Sequence, residues 1–135
     1  MIYVRRIMVA CLASGLLVGS SLLTVQTAGA ATETASTIAV KIARAGLGCE
    51  DLKATSDKIL YSGKRWTCTV KGLRTNIEFY TTANLKKAGK YLCSAGIDYP
   101  LVTDARFWTV TTGDSDVDIA VAKALGVKIK KACKF

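Results

Sequence analysis

The sequence has no histidine among its 135 residues, and this absence excludes more chemistry than any motif present supplies. Ser-His-Asp systems, Cys-His nucleophiles and His-based metal sites are all removed together. A Ser-Lys system lacks its Ser-x-x-Lys spacing; Ser56-Asp57-Lys58 and Ser62-Gly63-Lys64 read as loop segments. Nor is there a Cys-x-x-Cys pair. The last four of the five cysteines are separated by 19, 25 and 40 residues, unlike the close pairs of zinc sites. Asp114, Asp116 and Asp118 alternate like the opening of a calcium loop, but Ile119 stands where that loop needs glycine and Leu125 where it needs glutamate. Acidic residues opening a helix are favoured by its dipole, which accounts for them more simply. Glu78 has no carboxylate partner at a spacing that suggests glycosidase chemistry, and strand alternation assigns it to the solvent face. The expectation is a protein that is not an enzyme and carries no cofactor and no metal.

What is present first concerns export. Arg5 and Arg6 precede an apolar run from Ile7 to about Leu23, and small residues follow at Ala28-Gly29-Ala30. These are the three parts of a cleavable secretory signal peptide over residues 1–30. The run, roughly 17 residues, is at the lower limit for a membrane span, and its Ala-x-Ala end favours cleavage over a retained anchor. Cys11 lies too early in the run for a lipid-attachment box. The mature chain, residues 31–135, is then one secreted domain, extracellular or associated with the cell envelope, with no stable membrane span.

Acidic residues are scarce, 10 against 19 basic ones. Loss of Arg5 and Arg6 leaves 17 basic against 10 acidic residues, a formal +7 on the mature domain. Lys86, Lys87 and Lys90 form one basic group, and Lys128, Lys130, Lys131 and Lys134 another; together they are a candidate patch for an anionic partner. A component of the cell envelope or another secreted or surface protein fits such a patch. Nucleic acid fits poorly, because the aromatic residues fall mostly at inward strand positions and export removes a genomic target. Tyr61, Tyr80, Tyr91 and Tyr99 are freer, and Tyr suits a surface that is apolar at one end and wet at the other.

Loss of Cys11 leaves Cys49, Cys68, Cys93 and Cys133, an even set that predicts two disulfides in an exported chain. Of three arrangements, Cys49 with Cys68 ties an amino-terminal helix to the sheet, and Cys93 with Cys133 pins the carboxy terminus. Ala35, Ile38, Ala39 and Ile42 share a helical face ending at Gly46. Glu50 to Lys58 holds at most a short strand. Trp66, Cys68 and Val70, then Leu73, Thr75, Ile77 and Phe79, alternate around a Lys71-Gly72 turn and predict a hairpin. A helix follows from about Ala83 to Ala95 with Leu85, Ala88, Leu92 and Cys93 inward. Leu101-Val102 and Phe107 to Thr112 read as strands, Trp66 and Trp108 as core anchors, and Ser115 as the N-cap of a helix stopping at Gly126. Val127 to Cys133 reads as a last strand. The expected fold is α+β: a small, mostly antiparallel sheet with about three helices packed on one face, stapled by two disulfides.

These elements resemble a loose group of small secreted, mostly uncharacterised actinobacterial proteins. The likeness rests on Leu47-Gly48-Cys49, Trp66-Thr67-Cys68, Ile77-Glu78-Phe79, Phe107-Trp108-Thr109-Val110 and Ala124-Leu125-Gly126, spread over residues 35 to 130. It implies export and this fold. The many lysines and the extra pair Cys93 and Cys133 depart from it, so no acidic-surface role is implied. The expected function is a secreted, non-catalytic binding or interaction protein; the alternative is a secreted cationic antibacterial protein acting at anionic cell envelopes.

Overall fold

In the computed structural model, residues 33–57 and 61–135 are described, and the segment read as a signal peptide lies outside them. The described residues form three α-helices and six strands: α1 (Ala35–Arg44), β1 (Glu50–Thr55), β2 (Lys64–Val70), β3 (Leu73–Phe79), α2 (Thr82–Ser94), β4 (Pro100–Thr103), β5 (Trp108–Thr111), α3 (Ser115–Leu125) and β6 (Lys128–Lys131). A 3₁₀ turn, Ala132–Lys134, follows, so Cys133 sits in this turn and not at the end of the last strand as expected. All strand pairs are antiparallel, in the order β1-β2-β3-β5-β4-β6.

The hairpin β2–β3 is closed by Lys71 and Gly72, at φ 51° and 77°, with Val70 opposite Leu73. A two-residue loop with both central residues left-handed matches the twist of the strands it joins. Side-chain alternation then gives the sheet two unlike faces. Trp66, Ile77, Val110, Val102 and Ile129 stand side by side across five strands. On this face Ile38 and Ile42 of α1 and Val121 and Ala122 of α3 complete a core with Cys68, Val70 and Trp108. The neighbouring row, facing the other way, reads Arg65, Glu78, Thr109, Thr103 and Lys128.

That second face is where α2 lies. Leu85, Ala88 and Gly89 are buried, and they share a cavity wall with Leu101, Thr109 and Thr111 of the sheet. The helices are therefore divided two and one, instead of packing on one face. Helical periodicity shows that α2 has an apolar side but not which face of the sheet receives it.

Both disulfides pair as expected, Cys49 with Cys68 and Cys93 with Cys133, at Cα separations of 5.2 and 4.8 Å. The second fastens α2 to the 3₁₀ turn, and Asp98 Oδ1 accepts from the backbone N–H of Cys133 at 3.1 Å. Phe135 then rests against Gly89.

Three local expectations are corrected. The N-cap of α3 is Asp114, not Ser115: its Oδ1 accepts from the N–H groups of Asp116 and Val117, each at 3.0 Å. A carboxylate one residue earlier reaches two unpaired amides and also meets the helix dipole with the right sign. β1 is a full six-residue strand, hidden in the sequence because an exposed edge strand needs no apolar alternation. Its register shifts between Glu50 and Lys53, and Asp51 takes φ 55°. Trp108 is buried as expected, whereas Trp66 is half-buried and meets the Phe79 ring edge-on at 5.4 Å between centroids.

Candidate functional site

The polar face of the sheet, roofed by α2, encloses a cavity of about 220 Å³. Its floor comes from adjacent strands. Arg65, Glu78 and Thr109 form one cross-strand row, and Asn76 and Thr111 belong to the next. Leu85, Ala88 and Leu92 of α2 supply the apolar roof, and Tyr80 and the more exposed Tyr61, Tyr91 and Tyr99 complete the lining. The four tyrosines singled out in the sequence thus come together in one site from four separate segments.

Glu78 organises the floor. Its Oε2 accepts from the Tyr80 hydroxyl at 2.5 Å, and its Oε1 lies 3.4 Å from Arg65 Nε. Both charged side chains are largely withdrawn from water, Arg65 at 15% and Glu78 at 13% exposure. This corrects the assignment of Glu78 to the solvent face, because the outward side of β3 is covered. Burial, reinforced by the charge and hydrogen bond of Glu78, pushes the Tyr80 hydroxyl well above its ordinary value of 10.0, so it stays protonated as a fixed donor. Tyr99 is raised for the same two reasons, burial first and the Glu78 charge second.

Two floor atoms remain without a hydrogen bond among the described residues. Arg65 Nε sits at ion-pair distance from Glu78 without hydrogen-bond alignment, and Asn76 Oδ1 is buried with no partner. Native proteins pair nearly all such atoms; of the four found among the described residues these two line the cavity, whereas Thr55 Oγ1 and Trp108 Nε1 lie outside its lining. At the rim, Tyr61 takes φ 70°, a conformation that costs a non-glycine residue, and its ring meets Tyr91 edge-on at 6.4 Å between centroids. Arg65, Asn76, Glu78, Thr109 and Thr111 were not singled out as site residues from the sequence. The available signal was the run of charged and amide residues at outward positions of β2 and β3, which reads equally well as a solvated face.

The lysines are only partly assembled. Lys130 places Nζ 4.7 Å from the centroid of the Phe135 ring, and Phe135 abuts Gly89, so Lys130 lies at the seam between α2 and the carboxy terminus, while Lys90 and Lys134 are exposed and next in sequence to seam residues. Lys86 and Lys87 are exposed on α2, and Lys128 is exposed on β6. Lys131 lies instead 3.9 Å from Asp98. The aspartates at α3 have structural work: Asp114 caps the helix, and buried Asp118 accepts from both the N–H and the hydroxyl of Thr112, at 3.0 and 2.8 Å. No helix among the described residues is long and apolar enough to cross a membrane, and among those residues no group of three acidic or cysteine side chains is placed to hold a metal.

Compared with known proteins, the chain matches no family model, no curated protein and no solved structure.

Proposed function

We propose that this protein is a secreted, non-catalytic binding module that takes its ligand in the cleft between α2 and the polar face of the sheet. The observation that carries this reading is the buried, unpartnered Asn76 Oδ1 on the floor of a cavity lined by four tyrosines. A concave site with apolar walls and a few convergent polar groups is the usual form of a small-ligand pocket. Export is supported by Arg5-Arg6, the apolar run, Ala28-Gly29-Ala30 and two disulfides, which persist in oxidising compartments. Secreted protein beginning at Ala31, read by intact mass or amino-terminal sequencing, is the expected result; an intact Met1 on extracellular protein overturns it.

The binding reading is tested by capture from cell-envelope fractions with immobilised protein. A ligand retained by the wild type and by Lys128→Gln, but released by Asn76→Leu and Tyr99→Ala, supports the cleft. Retention that ignores both cleft substitutions overturns it.

A second reading, a cationic antibacterial protein acting at anionic envelopes, is favoured by the exposure of Lys86, Lys87, Lys90, Lys128 and Lys134. Growth inhibition of related bacteria that disappears when Lys128, Lys130 and Lys131 are neutralised is its expected signature.

A further inference from the structure

We infer that the cleft receives a neutral, polyhydroxylated ring: one pyranose unit of a saccharide, laid against the rim tyrosines with its hydroxyls on the sheet. The inference rests on the reading of this cleft as the binding site, and it concerns what chemistry fits there.

The floor sets the charge of the ligand. It holds one buried acceptor without a hydrogen bond, Asn76 Oδ1, and one donor, Arg65 Nε, that faces Glu78 Oε1 at 3.4 Å without hydrogen-bond alignment. An anion would satisfy Arg65 but leave Asn76 Oδ1 unpaired and approach Glu78. A cation would satisfy Asn76 and Glu78 but be driven against Arg65. Each leaves a buried polar atom or a like-charge contact uncompensated, which costs more than the hydrogen bond gained. A neutral ligand that both donates and accepts meets both demands.

The arrangement of the floor then favours vicinal hydroxyls. Arg65 pairs with Glu78 and Asn76 with Thr67, so Arg65 and Asn76 stand diagonally on paired strands, two residues apart in the register, and line the same cavity. Donor and acceptor must therefore be presented to one surface. A single trans peptide unit points its N–H and C=O to opposite sides, and a peptide turns both to one surface only from one residue of an extended backbone. Neighbouring hydroxyls on a ring each donate and accept, and they lie on the same edge.

Size and walls agree with this. A cavity of about 220 Å³ is below the roughly 300–1,000 Å³ of pockets for drug-sized ligands, and suits a single ring. Tyrosine offers a flat apolar face for the C–H side of a sugar and a hydroxyl at the wet end.

The test is an amide chemical-shift titration of the purified, oxidised protein. The probes are methyl glucoside, methyl galactoside, methyl mannoside and N-acetylglucosamine, with inorganic phosphate and a blocked alanine dipeptide as competing chemistries. Saturable shifts at the amides of Asn76, Glu78 and Thr109 with at least one sugar are expected. Asn76→Leu should weaken that binding about tenfold, the equivalent of one lost hydrogen bond. Tyr99→Ala, at the exposed rim, keeps the test usable if the floor variant fails to fold. Cleft amides that respond to phosphate or to the dipeptide, and to no sugar, overturn the saccharide assignment while leaving the cleft as the site. No response at the cleft amides to any probe overturns both.

Discussion

Gly89 and Phe135 meet so closely that a Cβ built on Gly89 would lie 2.7 Å from Cβ of Phe135 and 2.9 Å from the Ala132 carbonyl oxygen. The last residue of the chain thus sets the residue type in the middle of α2, across the seam that the Cys93–Cys133 bridge closes. Gly89→Ala would ordinarily favour a helix, but here the clash should prevail, with a loss of about 1–3 kcal/mol in urea unfolding. Removal of Phe135 should recover only part of it, because the Ala132 carbonyl remains.

The two disulfides close loops of different length, with sequence separations of 19 and 40. Chain entropy assigns each about 3–4 kcal/mol, with the longer loop worth more. Replacing both Cys93 and Cys133 by Ala should lower the unfolding midpoint and release α2 from the carboxy terminus. Cleft binding should fall with it, whereas the β2–β3 hairpin amides should keep their protection from hydrogen exchange.

Asp118→Ala should cost about 2–3 kcal/mol, because the N–H and the hydroxyl of Thr112 lose a charged acceptor in a buried setting. Asp116→Ala, whose side chain is exposed at the same helix, should change stability by less than about 1 kcal/mol. A calcium titration that stabilised the wild type would contradict the structural role given to these aspartates.

Tyr80 makes stability depend on alkaline pH. Its native hydroxyl holds its proton more tightly than the unfolded chain does, whose tyrosines ionise near the ordinary value of 10.0. The stabilising share is therefore complete below pH 10 and is lost as pH rises through and beyond it. Tyr99 contributes with the same sign. In urea unfolding at neutral pH and at about pH 11, the wild type should lose more stability than Tyr80→Phe, which has no phenolic proton to lose.

Most of the scaffold was legible in the sequence because strong periodicity or turn chemistry marked it. Trp66 to Phe79 alternate cleanly around Lys71-Gly72, and α1 and α3 carry apolar stripes that end at glycines. β1 was not legible, since solvent on its exposed side removes the pattern. The side of the sheet taken by α2 is a tertiary property: Leu85 and Ala88 would be inward on either face. The cleft was legible only through its tyrosines. Glu78 and Asn76 alternate with core residues whether their side of the strand meets water or a helix, so a covered polar face and a solvated one share one sequence pattern. Spacing left three cysteine pairings open, and element positions favoured the one found: Cys49 with Cys68 ties the amino-terminal helix to the sheet, and Cys93 with Cys133 pins the carboxy terminus to α2.

The ends of the sheet give the lysines of β6 a meaning apart from any partner. An edge strand offers unpaired amides and carbonyls to any passing chain, and lysines are a common guard against such pairing. β6 is an edge with three lysines in four residues, and the opposite edge, β1, is broken by its shifted register. The chain would thereby resist joining its own copies into fibres or stacks. Neutralising Lys128, Lys130 and Lys131 would strip that guard as well as the charge, so a loss of growth inhibition speaks for electrostatic attack only if the variant is still monomeric by light scattering.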